Sequence, residues 1–145
     1  MIAKNITELI GNTPMIELKM KNNDWKVYLK LEKFNPGGSM KDRMALNMIN
    51  QAEKDGKLKP GGTIIESSSG NTAIGLAIAS AIKGYKFIAV VDHHASKEKI
   101  DMIKAYGGNI VVVGDGYKDN EVAVIEREKT AKRMADGMEN AFFPN

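Results

Sequence analysis

One primary amine and one hydroxyl-rich turn are the residues whose types and spacing suit chemistry. The amine is Lys41, within Asn35-Pro36-Gly37-Gly38-Ser39-Met40-Lys41-Asp42-Arg43. Pro36 fixes φ and the paired glycines admit backbone conformations closed to other residues, so the stretch reads as a tight turn. Ser39 is a good N-cap and Asp42 stands three residues on, the spacing of a capping box, so a helix is predicted to start here. Lys41 then lies in its first turn, against the positive end of the helix dipole. That field disfavours the ammonium and predicts a lowered pKa, the state an amine needs to attack a carbonyl. An exposed first-turn lysine without a chemical role is the plain alternative that these local facts leave open.

The second candidate is Ser67-Ser68-Ser69-Gly70-Asn71-Thr72, read as a loop between a strand and a helix start. Free backbone N–H groups, hydroxyls and the dipole's positive end together suit a carboxylate or a phosphate. A Ser-rich N-cap with no ligand is equally compatible with those residues. His93-His94 follow a strand ending at Val91 and could contact a ligand or titrate near neutral pH. Adjacent side chains on an extended segment point to opposite sides, so the pair is read as solvent-side loop histidines, with no metal site expected. Gly114-Asp115-Gly116-Tyr117 begins like a dinucleotide loop, but Asp119 occupies the third glycine position and rejects that reading. Tyr117 either borders the site or is a surface tyrosine. There is no Cys, His-Glu-x-x-His, P-loop or nucleophile elbow.

The elements that must position these groups follow from pattern. Ile6 to Ile10 reads as a short helix, Met15–Leu18 as a strand, Asn22-Asn23-Asp24 as a turn and Lys26 to Leu31 as a half-buried strand. A helix follows from Met40 to about Asp55, with Ala45, Met48, Ile49 and Ala52 facing a core and Gly56 as its C-cap. Thr63–Glu66 is a short buried strand. The helix after the Ser-rich loop is apolar nearly all round and runs to about Lys83, where Gly84 ends it. Phe87 to Val91 and Ile110 to Val113 read as buried strands of a sheet covered on both faces. Ser96 caps a helix through Tyr106, Asn120 to about Asp136 is a charged amphipathic helix, and Ala141 to Phe143 begins a last strand. Strand and helix alternate from Thr63, which predicts right-handed βαβ units on a parallel sheet, a three-layer α/β lobe preceded by a two-stranded lead-in. In such sheets ligands sit beyond the carboxyl ends of the strands, where the Ser-rich loop falls.

Composition narrows the class. The chain has 145 residues, 43% apolar and 27% charged, enough for one domain with a real core. A net charge of +3 spread along the chain argues for neither nucleic acid nor a membrane surface. Nine Met against few aromatics suggests an adaptable core. The start Met1-Ile2-Ala3-Lys4-Asn5-Ile6 carries no signal-peptide run, and the longest apolar stretch, Ala73 to Ile82, is too short to span a bilayer. Without Cys and without a leader, the expected location is the cytoplasm.

The run from Lys30 through Arg43, with Leu31-Glu32-Lys33-Phe34 leading into the lysine turn, resembles the signature of the pyridoxal-phosphate enzymes of the cysteine synthase and cystathionine β-synthase family. Ile10-Gly11-Asn12-Thr13-Pro14 resembles the opening of the same family. The resemblance implies that Lys41 forms the Schiff base with pyridoxal 5'-phosphate. It implies that Ser68, Ser69, Gly70, Asn71 and Thr72 grip the substrate α-carboxylate, with Asn71 also bonding the cofactor's phenolic oxygen. The family commonly has threonine where this chain has Ser68 and glycine where it has Ala73, and a proline and an acidic residue near Asp92 and His93. The added methyl of Ala73 is expected to narrow substrate choice. The implied reaction is β-elimination and β-replacement on a serine-type amino acid by a homodimer, with sulfide, homocysteine or an amine as nucleophile. The serine/threonine dehydratase branch is the neighbouring alternative; its loop usually has His where this chain has Thr72. A carboxylate-binding or partner-binding module without catalysis is the alternative outside enzymes. The resemblance also implies that residues 1–38 belong with a second, larger lobe and residues 39–145 form the small lobe. The phosphate cup and the partner of the pyridine nitrogen belong to that larger lobe and are not found here. These residues alone are therefore expected to bind the cofactor weakly and to turn over little.

Overall fold

A computed structural model describes residues 2–21, 25–116, 118 and 123–144. The predicted turn at 22–24, Tyr117, Asp119 and the predicted helix start at 120 lie outside the described residues. A 3-10 turn over Ile6–Leu9 leads to β1 (Met15–Leu18) and β2 (Val27–Lys30), an antiparallel ribbon with Met15 opposite Lys30 and Leu18 opposite Val27. Both strands are exposed along their whole length, so the half-buried reading of the second does not hold. Its apolar alternation is real, but no described layer covers either face.

A second 3-10 turn, Glu32–Phe34, leads into α1 (Lys41–Lys54), β3 (Thr63–Glu66), α2 (Asn71–Lys83), β4 (Lys86–Val91), α3 (Lys97–Ala105), β5 (Asn109–Val112), α4 (Val124–Asp136) and β6 (Ala141–Phe142). The sheet order is β5-β4-β3-β6, all parallel, with Ile64 beside Phe87 and Val90 beside Val111. Alternation along the strands divides the core. Ile64, Phe87, Ala89 and Val91 join α1, α2 and Ile103 of α3 on one side, while Ile65 and Val90 meet Ala131 of α4 on the other. The predicted three layers are therefore present. β5 was expected to be buried, yet it is the sheet edge and Val112 is 60% exposed; a short apolar run carries no mark that separates an edge from a centre.

α2 is buried on every side from Ala73 to Ser80. Its small residues, Ala73, Gly75, Ala77 and Ala79, admit α1 closely, and Ala45, Ile49 and Ala52 of α1 pack into that cluster. Gly84 closes α2 at φ 76, a left-handed cap that a β-carbon would strain. Asn140, also left-handed at φ 56, accepts from the Lys59 N–H at 2.9 Å and donates to its carbonyl at 3.1 Å, pinning the approach to β6 against the turn before β3.

Candidate active site

The turn before Lys41 is built around Asp42. One of its oxygens accepts from the Gly37 N–H, and the Gly38 N–H closes on the Asn35 carbonyl at 2.8 Å. The Ser39 hydroxyl accepts from the Lys41 N–H at 3.1 Å, and Met40 is the N-cap, with no side-chain cap bond. The capping-box expectation is thus corrected in register: both side chains bond across the turn, but Asp42 reaches back to Gly37 instead of to Ser39. The reason is steric, because a methyl at position 37 would collide with the Asp42 carboxylate, so only glycine lets that N–H come close. Asp42 is 1% exposed and its second oxygen has no partner. Burial pushes its carboxyl above the usual range.

Lys41 is half-buried at the first position of α1, and its ammonium has no ion-pair partner among the described residues. Its carbonyl lies against α2: a methyl built on Gly75 would sit 3.0 Å from the Lys41 oxygen and 3.1 Å from the Ala45 β-carbon. Gly75 is one helical turn beyond Asn71, so the start of α1 rests on the first turns of α2.

The Ser-rich segment divides at Gly70, the extended N-cap of α2. Ser68, Ser69 and Gly70 form the half-buried loop, while Asn71, exposed, and Thr72, half-buried, already belong to the helix. The Ser68 hydroxyl accepts from the Gly70 N–H at 3.2 Å, and the Ser69 hydroxyl accepts from Arg127 Nη1 at 3.5 Å. Beneath the loop, Glu66 is buried and pushed upward by desolvation, and the Ser67 hydroxyl has no partner.

A network fastens the lead-in to α1. The Arg43 fork bonds both oxygens of Glu32, Nε at 3.0 Å and Nη2 at 3.1 Å, and the Thr13 hydroxyl donates to Glu32 at 2.8 Å. Asn35 accepts from the Gly11 N–H at 2.8 Å and donates to Glu32. Arg43, with Thr13 behind it, holds the Glu32 carboxyl down to about 2. A concavity of about 400 Å³ opens beside this network, walled by Leu9, Thr13 and Phe34 but by neither Lys41 nor the Ser-rich loop.

His93 and His94 are exposed in a turn, not on an extended segment, so their rings stand 4.1 Å apart instead of pointing to opposite sides. No group of three His, Cys, Asp or Glu residues suited to a metal occurs among the described residues. Sequence reasoning missed Gly75, the one signal for which is a glycine inside an apolar helix, and the pairing of Asp92 with Arg127, for which spacing gives none.

The donor set fits the ring side of pyridoxal phosphate. An aldehyde carrier needs an amine outside any ion pair, which Lys41 is among the described residues, and a side-chain amide such as that of the exposed Asn71 is of the chemistry that could donate to a ring oxygen. A cradle for the phosphate is not legible among the described residues. No described helix is long and apolar enough to cross a membrane. A cysteine synthase of Staphylococcus aureus is 51% identical over 110 residues, 74% of this chain and 36% of that protein. The crystal structure of the Entamoeba histolytica cysteine synthase superposes with a TM-score of 0.87 at 34% identity, over 99% of this chain and 43% of that one. That of cystathionine beta-synthase from Bacillus anthracis gives 0.81 at 33% identity, over 99% and 54%. The chain spans 43% and 45% of two further curated relatives that it matches almost end to end. With residues 6–145 matching the family described as pyridoxal-phosphate dependent enzyme, this chain belongs to that family.

Proposed function

We propose that the chain is part of a cytoplasmic enzyme, homodimeric when complete, that carries out β-elimination and β-replacement on a serine-type amino acid, as a cysteine synthase does. The observation that carries the reading is the junction at Gly75. It sets the amine-bearing start of α1 directly on the first turns of α2, where the hydroxyl loop opens. When bound, pyridoxal phosphate supplies an aldehyde for amines and an electron-withdrawing ring that weakens the bonds at the amino acid's α-carbon. Lys41 Nζ would hold the cofactor by its aldehyde and, when free of it, would serve as the general base that takes the substrate's α-proton. The Ser68, Ser69 and Thr72 hydroxyls, with the backbone N–H groups around Gly70, hold the α-carboxylate at the positive end of α2, and Asn71 would donate to a ring oxygen of the bound cofactor. Fixing the carboxylate orients the α-hydrogen toward the amine, the part of the barrier that positioning removes.

Residues 1–38 are assigned to a further lobe and residues 39–145 to the small lobe, supported by the uncovered ribbon. Half a cleft leaves the reacting centre wet, so the 145 residues alone are expected to bind cofactor weakly and turn over little. Incubation with pyridoxal phosphate followed by borohydride reduction is expected to label Lys41, read by peptide mass. Labelling that persists unchanged in Lys41→Ala would remove Lys41 from the mechanism. In the complete enzyme, product formation from a β-substituted serine that requires an added nucleophile separates a synthase from a dehydratase.

A further inference from the structure

We infer that Arg127, held by the buried Asp92, is a positioning residue that turns the Ser69 hydroxyl proton outward, toward a carboxylate. This rests on the reading of the Ser68–Thr72 segment as the carboxylate loop. Arg127 Nη1 lies 3.4 Å from Asp92 Oδ2 and 3.5 Å from Ser69 Oγ, with the Asp92 side chain 1% and the Arg127 side chain 15% exposed. Arg127 Nε is buried without an acceptor, so among the described residues the two contacts of Nη1 are the ones that orient the guanidinium. Asp92 is itself fixed: Oδ1 accepts from the His94 N–H at 3.1 Å and Oδ2 from the Ala123 N–H at 3.3 Å. The end of β4, the entry to α4 and the Ser-rich loop are thereby tied at one point.

The consequence for Ser69 follows from donor inventory. A guanidinium only donates, so the Ser69 oxygen accepts and its own hydrogen must point elsewhere. The Ser68 oxygen likewise accepts from the Gly70 N–H. Both hydroxyls of the loop are left as donors to whatever occupies its open side, which is the polarity an anion requires. Asp92 neutralises Arg127, so the guanidinium acts through Ser69 and not as the anion's own partner.

The test uses the full 145-residue chain, labelled with nitrogen-15 and titrated with sodium acetate against sodium chloride at matched ionic strength. Loop amides 68–72 are expected to shift with acetate. Arg127→Met and Asp92→Asn are expected to weaken that binding about fivefold, the scale of one hydrogen bond, with Arg127→Lys recovering part of it. In a Ser69→Ala background, Arg127→Met is expected to add nothing. Amide exchange at Gly70 and Asn71 is expected to quicken in Arg127→Met while core amides of β3 and β4 keep their protection, which separates a local effect from a failure to fold. If that variant does not fold, the milder Arg127→Lys and Asp92→Asn carry the comparison. Unchanged acetate affinity together with unchanged exchange at Gly70 and Asn71 would overturn the inference. Absence of loop shifts in the wild type would instead overturn the carboxylate reading, and the exchange comparison would still decide whether Arg127 orders the loop.

Discussion

A single methyl group tests how tightly the two helix starts are joined. In Gly75→Ala the new carbon meets the Lys41 carbonyl at 3.0 Å, the Ala45 β-carbon at 3.1 Å and the Asp42 α-carbon at 3.2 Å, none of which can swing aside as a side-chain tip would. Alanine favours the helix by up to about 1 kcal/mol over glycine, while overpacking costs about 1–3 kcal/mol. The expected net loss is about 1 kcal/mol, read as a lower urea midpoint at unchanged m-value, with reduced borohydride labelling of Lys41. Glu66 offers a second test with a definite sign. Its folded carboxyl is raised by burial above the ordinary 4.5, so between 4.5 and the raised value the folded state holds a proton that the unfolded state has lost. Stability therefore falls as pH rises through that window. Glu66→Gln, which keeps an acceptor for the Ser67 N–H, is expected to melt higher than wild type near neutral pH. That advantage should disappear well below pH 4.5, where the Glu66 carboxyl is protonated in the folded and the unfolded state alike; an equal advantage at both pH values would show that charge burial is not the cause.

Elements tell where pattern is informative and where it is not. Period and caps located α1, α2 and α3 to within a residue or two, because Gly56, Gly84 and Ser96 punctuate runs whose apolar spacing is already helical. Lys41 and the Ser68–Thr72 loop were legible for the same reason: each opens a helix, and a helix opening has local chemistry. What could not be read is anything fixed by distant partners. β5 is as apolar as β4, yet only one has neighbours on both sides, and Arg127 meets Asp92 across 35 positions with no periodicity to announce it. The lead-in depends on such distant partners too. Glu32 joins Thr13, Asn35 and Arg43, and its carboxyl is lowered from 4.5 to about 2. A depressed carboxyl contributes stability that is present above 4.5 and is lost as pH falls toward 2. Acidification through that window is expected to release residues 1–38 from α1 before the sheet melts, seen as faster amide exchange at Gly11 and Leu31 while Ile64 and Val90 remain protected. Arg43→Ala is expected to release the same residues at neutral pH; simultaneous loss of the lead-in and the sheet would show that the two are one cooperative unit.

At the scale of the whole molecule, the uneven covering of apolar surface makes the strongest demand. The sheet is shielded on both faces, but the ribbon presents Met15, Ile16, Val27, Tyr28 and Leu29 to solvent, with Trp25 77% exposed beside it. A two-stranded ribbon is marginal by itself, and side chains of this size left in water favour any surface that covers them. If residues 1–38 belong with a further lobe, as proposed, that lobe would cover the ribbon in a complete enzyme. For the 145 residues alone, the same apolar face of a second copy is the surface expected to cover it. The chain is therefore expected to associate with rising concentration, measured by sedimentation velocity across a dilution series. Ile16→Lys with Leu29→Lys, at residues paired across the ribbon, is expected to shift the population toward monomer. It should leave the unfolding of the sheet unchanged, because neither residue belongs to either core. The same double variant placed in the complete enzyme is expected to lose cofactor affinity, since the ribbon there would no longer dock. A monomeric 145-residue chain at all concentrations, or a complete enzyme indifferent to both lysines, would show that the ribbon meets no partner and that residues 1–38 belong with the small lobe after all.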